Sequence, residues 1–226
     1  MPEQTSTLPD FNAIVLEYER LAEPATAAFG ARALAMLGVR PGEHVIDIAA
    51  GTGALVLSLL ETCARVTATD LSAPMVARIE RRMVGCNGVA RVEDGQALSF
   101  ADQSFDAALS MFGIMLFPDF RAGLREMARV LRPGGRAVVG SWTGMTAPMR
   151  LLGDAAALAA PGRIAPTMPA GVDVLGHEQG MHAALHDVGL MDVRIQRVTL
   201  SWTSPPAADL LANPDEFSRT CRPSAR

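Results

Sequence analysis

Short apolar runs alternate along the chain with stretches whose apolar positions recur at helical spacing. Strand-like runs fall near 44–49, 65–69, 89–93, 105–111 and 135–142, with amphipathic segments between them. Such alternation predicts βαβ units, and hence an α/β, Rossmann-like fold with a mostly parallel twisted sheet and helices on both faces. Val45-Ile46-Asp47-Ile48 and Ala137-Val138-Val139 read as nearly continuous apolar strands, as burial on both faces requires. Residues 24–37 predict a helix that opens near Pro24 and stops at Gly38, before a turn from Pro41 to Glu43.

Beyond Trp142 the pattern weakens. Residues 143–175 are rich in Ala, Pro, Gly and Met and predict a partly helical insertion. A helix is expected from about His177 to Val188 and a strand from about Asp192 to Trp202, whereas 204–226 is proline-rich with no strand-like run. The expected division is an N-terminal helical lid (1–40), a core (41–142), and an insertion with the last helix and strand (143–226), all within one domain.

Charge and cysteine content narrow the chemistry. With 20 Arg and no Lys against 24 Asp+Glu, the net charge of −4 argues against a nucleic-acid partner. Cys63, Cys86 and Cys221 form neither a CxxC pair nor an even framework, so reduced structural thiols are expected. Met1 to Asp10 lacks the basic start and apolar core of a signal peptide, and no apolar run reaches membrane-spanning length. A cytoplasmic protein without a membrane span is the resulting expectation.

Asp47-Ile48-Ala49-Ala50-Gly51-Thr52-Gly53-Ala54 lies where a strand hands over to a helix. Gly51 and Gly53 lack Cβ atoms, which lets the backbone turn tightly and a ligand approach. A helix beginning near Gly53 would present free N–H groups to an anionic ligand group such as a carboxylate. Asp70 closes the second strand-like run, where its carboxylate can accept both hydroxyls of a ribose. Those features suit NAD and S-adenosylmethionine (SAM) equally.

Further stations follow in order: Asp70-Leu71-Ser72-Ala73-Pro74-Met75-Val76, Asp94-Gly95-Gln96-Ala97-Leu98-Ser99-Phe100, Ser104-Phe105-Asp106, Phe112-Gly113 with Phe117-Pro118-Asp119, and Leu131-Arg132-Pro133-Gly134-Gly135. Together with the glycine turn, over residues 40 to 142, they resemble the class I SAM-dependent methyltransferases, especially the ubiquinone and menaquinone biosynthesis group. The resemblance implies that Asp47, Ala49, Gly51, Thr52 and Gly53 hold the methionine portion of SAM and Asp70 its ribose. It further implies that Leu71 packs on the adenine near Met75, that Asp94, Gly95 and Gln96 meet the adenine edge, and that Ser110 and Met111 line the methionine side. Ala49 stands where the family usually has the first glycine. Relatives finish with a seventh, antiparallel strand, and the proline-rich end implies its absence here, leaving an edge for strand six or another chain, as in a homodimer.

No catalytic base stands out. His44 precedes the first strand and reads as structural. Glu178, His182 and His186 share one helix face but fit an ordinary amphipathic helix better than a metal site, so no metal is expected. Tyr18, the only tyrosine, lies in the N-terminal segment that in similar enzymes folds over the SAM pocket, where it serves either as an aromatic contact to the sulfonium or as lid packing. Phe112, Met115, Phe117, Trp142 and Met145 gather at or beyond the ends of strands four and five, either as core or as the wall of an apolar, aromatic or prenylated acceptor site. Three functions stay open: an active small-molecule methyltransferase, a SAM-binding protein with lost or reduced activity, and a nucleotide-dependent oxidoreductase, the last disfavoured by the absence of GxGxxG.

Overall fold

The computed structural model describes residues 10–62, 64–144 and 168–200. Five strands, β1 (His44–Ile48), β2 (Arg65–Asp70), β3 (Gly88–Val92), β4 (Phe105–Met111) and β5 (Leu131–Gly140), form one sheet in the order β3-β2-β1-β4-β5. Every pairing is parallel. The order reverses at β1, so β2 and β4 leave it in opposite directions and a crevice opens at the carboxyl ends of these strands.

Two cores flank the sheet because alternate side chains of β1 point to opposite faces. Ile46 and Ile48 join Leu124, Met127 and Val130 of helix α5 (Phe120–Val130). On the other face Val45 joins Val66, Ala68 and Leu109, with Val56 and Leu59 of α3 (Val56–Glu61) and Ile79 of α4 (Ala73–Arg82). These β1 side chains are fully buried. Helices therefore cover both faces as the apolar runs require.

A helical stretch precedes β1: a single turn α1 (Val15–Glu17), a π-helical turn (Tyr18–Ala22), then α2 (Glu23–Leu37). Pro24 sits in the first turn of α2, where its missing N–H is harmless, and Gly38 closes the helix in the left-handed conformation with its N–H on Leu34 O. Gly30 of α2 lies so close to the glycine turn that an added Cβ would fall 2.2 Å from Leu55 Cδ2. The N-terminal helix thus rests on the chain just after the turn.

Two expectations change. β5 begins at Leu131 rather than near 135, because Leu131 pairs with Phe105 and the next register jumps to Ala107 with Arg136. That irregularity absorbs Pro133-Gly134-Gly135, with Gly134 at φ 77°. The strand anticipated from Asp192 does not form over 192–200. Its apolar positions change parity, Val193 and Ile195 giving way to Val198 and Leu200, so neither face is consistently apolar. Among the described residues β5 therefore pairs with β4 alone. The helical end forms as α6 (Ala170–Gly176) and α7 (Glu178–Asp187). Most of the 143–175 insertion, Met145, Cys63, Cys221 and the proline-rich end where strand seven was expected missing lie outside the described residues. No helix among the described residues is long and apolar enough to cross a membrane.

Gly30→Ala is expected to lower stability by about 1–3 kcal/mol through overpacking against Leu55, read as a fall in the denaturation midpoint.

Candidate cofactor site

The chain leaves β1 through three residues in the left-handed region: Ala49 (φ 58°), Gly51 (φ 59°) and Gly53 (φ 85°). The turn is tied to the end of β2 at two points. Ala50 N–H donates to Thr69 O at 2.8 Å, and Gly51 N–H donates to Asp70 Oδ2 at 2.8 Å. Residues 51–55 are turn, and α3 begins at Val56 rather than near Gly53. Ala49 keeps its methyl at φ 58°, and the space is found at Gly113, whose added Cβ would lie 2.5 Å from Ala49 Cβ. The glycine lacking at 49 is matched by one across the crevice.

Two carboxylates face this turn. Asp47, 3% exposed at the end of β1, finds no hydrogen-bond donor for its carboxylate among the described residues. Burial first, and the neighbouring Asp70 charge second, push it up to about 8. Asp70 is also raised by burial, an effect opposed by the N–H groups of Ser72 and Gly51 that its two oxygens accept. Asp70 therefore ends the strand, holds the turn and orders the start of α4, where Ser72 Oγ accepts Met75 N–H. Carboxylate oxygens each accept more than one hydrogen bond, so both remain able to take ribose hydroxyls.

Tyr18 closes the site from above. Its ring stands 3.3 Å from where a Cβ on Gly51 would be, and burial raises its hydroxyl above the ordinary tyrosine value. A clamp of side chains far apart in sequence holds it there. Glu19 pairs with Arg78 and Arg82, Glu23 pairs with Arg82, and Thr52 Oγ1 donates to Glu23 Oε2. The signal was present as two spaced pairs, Glu19 with Glu23 and Arg78 with Arg82, each one helical turn apart.

The rim gathers the other anticipated residues. Leu71, next to Asp70 in the chain, is 69% exposed. Asp94 Oδ1 accepts from Gln96 N–H and Gln96 Nε2, while Gln96 Oε1 accepts Asp119 N–H. Asp94, Gly95 and Gln96 thus form a closed local network, with Phe117 packed so tightly on Gly95 that a Cβ would fall 2.5 Å from Cζ. Ser110 is buried with its Oγ taking Ile114 N–H, and Met111 is half-buried against Gly140. Met75 is 1% exposed and offers a ligand almost no surface. Farther away, His44 bonds Thr67 Oγ1 and packs on Phe105. His182 and His186 lie 6.4 Å apart on an exposed face of α7, and no group of three metal-ligating side chains occurs among the described residues.

Gly113→Ala is expected to cost about 1–3 kcal/mol by driving its methyl into Ala49, and Ala49→Gly in the same chain should recover much of that loss in a double-mutant cycle of denaturant midpoints. Asp47 predicts a pH effect. Its folded-state value, about 8, exceeds the unfolded value near 3.8. The unfolded chain therefore ionises first, and stability falls as pH rises between these values and levels off above the upper one. Asp47→Asn should flatten that decline in thermal melts of the ligand-free protein.

Residues 46–139 match the model of the methyltransferase domain family. Over 113 residues the chain is 43% identical to the demethylmenaquinone methyltransferase of Corynebacterium efficiens, covering 50% of this chain and 47% of that protein. The chain thus spans about half the length of the curated relatives it matches. Among solved structures, a chain from the complex of the Haloferax volcanii Trm112 methyltransferase activator with a methyltransferase aligns at TM-score 0.58 and 21% identity, covering 96% of this chain and 94% of that one. The [4+2]-cyclase SpnF aligns at TM-score 0.55 and 20% identity over 72% of this chain and 56% of its own. Residues 46–139 thus resemble a methyltransferase domain, and the parallel sheet built on them shares its Rossmann-like fold with these solved structures.

Proposed function

We propose that this chain binds SAM across the glycine turn and transfers its methyl group to a small aromatic or quinone-like acceptor. The observation that carries the reading is the buried, unpartnered Asp47 carboxylate beside Asp70, with no opposing arginine at either group among the described residues. Such a site calls for a cationic ligand that also brings hydroxyl donors, and SAM has both. The cofactor supplies an activated methyl on a sulfonium, whose departure as a neutral thioether drives transfer.

The chain's own residues then have three tasks. Asp70 accepts the ribose hydroxyls while keeping the turn in place. Asp47 balances positive charge on the methionine side, which Ser110 and Met111 border. Tyr18 and its Glu19, Glu23, Arg78, Arg82 clamp exclude water from above, so that alignment rather than a covalent residue provides the rate. Leu71, with Asp94, Gly95 and Gln96, borders the adenine side.

For the acceptor, the support is an aromatic group at the carboxyl ends of β4 and β5. Phe112 and Trp142 stack with centroids 3.9 Å apart at 13°, and Phe29 of α2 meets both edge-on at 5.8 and 5.4 Å. Phe112 holds φ 63°, a conformation that costs a non-glycine residue of order 1–3 kcal/mol. A planar ring is the natural guest for such a surface. The similarity to a demethylmenaquinone methyltransferase points the same way. One second reading has a specific support: the fold is shared with a protein that is a [4+2]-cyclase, so SAM binding without methyl transfer to an acceptor is the alternative.

Incubation with methyl-labelled SAM and a panel of quinols, phenols and heterocyclic amines should label at least one aromatic acceptor, and Trp142→Ala should raise KM for it without weakening SAM binding. SAM binding with no label transferred to any acceptor would favour the alternative. Binding of NAD in place of SAM would overturn both.

A further inference from the structure

Asp47 sits differently from the acidic groups elsewhere in the described structure. Glu43, Asp106 and Glu126 each have an arginine against them and are held below the ordinary carboxylate range. Asp47 has none. The titratable groups that act on it are Asp70 at the end of β2 and Tyr18 on the π-helical turn, and Tyr18 in turn faces Glu23 at the start of α2. Glu23 is already neutralised by Arg82 and bonded by Thr52, and Asp70 is solvated by two backbone amides. Among the described residues Asp47 is the acid that is 3% exposed with neither a cation nor a donor beside its carboxylate.

We infer that Asp47 is a proton-coupled cofactor sensor, carrying a proton in the empty site and releasing it to solvent when the cationic cofactor enters. This rests on the SAM reading above. The geometry supports it: among the described residues, an ionised carboxylate at this depth, next to a second acid, has no compensating charge until a ligand brings one. Entry of a positive group a few ångströms away favours the carboxylate, the O–H bond breaks heterolytically, and the proton leaves to the buffer. The ion pair then formed lies under the Tyr18 ring, which the Glu19 and Glu23 clamp holds across Gly51. Cofactor binding and local charge are thereby one event.

Calorimetric titration of the full chain with SAM at about pH 7, in buffers of different protonation enthalpy, reads the proton count directly. The expected result is release of nearly one proton per SAM bound in the wild type and none in Asp47→Asn. Difference infrared spectra of the wild type should show loss of a protonated-carboxyl band when SAM is added, a readout that needs no variant. SAM binding without proton release, with release but no loss of that band, or with release retained in Asp47→Asn overturns the inference while leaving the SAM reading intact. Failure of SAM to bind at all overturns the reading beneath it too.

Discussion

The hydrogen bond from Gly51 N–H to Asp70 Oδ2 joins the two strands that define the crevice, and much of the site hangs from it. It fixes the outer limb of the glycine turn against the end of β2, and the companion bond from Ala50 N–H to Thr69 O fixes the inner limb. With the turn pinned, Gly51 presents a bare backbone to the Tyr18 ring and Gly53 fits beneath Ile79. The carboxylate that does this is half of an acidic pair, so the fold keeps two acids together where water is scarce. On the proposed reading, positive charge on the cofactor offsets that cost.

The N-terminal helix is part of this arrangement rather than an appendage. Gly30 lets α2 settle on Leu55, and the ion pairs from Glu19 and Glu23 to α4 straddle the turn. These pairs are partly shielded from solvent, with Arg82 19% and Glu23 16% exposed, so they outlast salt better than the exposed Arg125–Asp119 pair. A π-helical turn at Tyr18–Ala22 changes the helix phase where Tyr18 must face the turn and Glu19 must face α4.

Much of the sheet was legible because two-sided burial writes itself as apolar runs: the first four strands lie near where Val45 to Ile48, Val66 to Thr69 and their counterparts predicted, and the fifth starts four residues early. The glycine turn and Asp70 were legible from backbone chemistry. The rest failed for local physical reasons. Pro133-Gly134-Gly135 reads as a turn, yet the strand passes through it as an irregularity because Leu131 finds Phe105 as a partner. Val193 and Ile195 suggested a strand that the parity change at Val198 denies. The clamp was hidden because charged residues at helical spacing usually mark a solvated face, and only the third dimension brings residues 59 and 63 positions apart into contact. The dependence of Ala49 on Gly113 was invisible for the same reason.

The crevice between β1 and β2 is proposed to receive an adenosyl cofactor through its two acids. A crystal structure with S-adenosylhomocysteine tests this most directly. The predicted result places both ribose hydroxyls on Asp70 with the Gly51 bond retained, the adenine under Leu71, and the ammonium end on the Asp47 side of the turn. An adenosyl group bound elsewhere, or bound in this crevice with Asp70 turned away from the ribose, would contradict it.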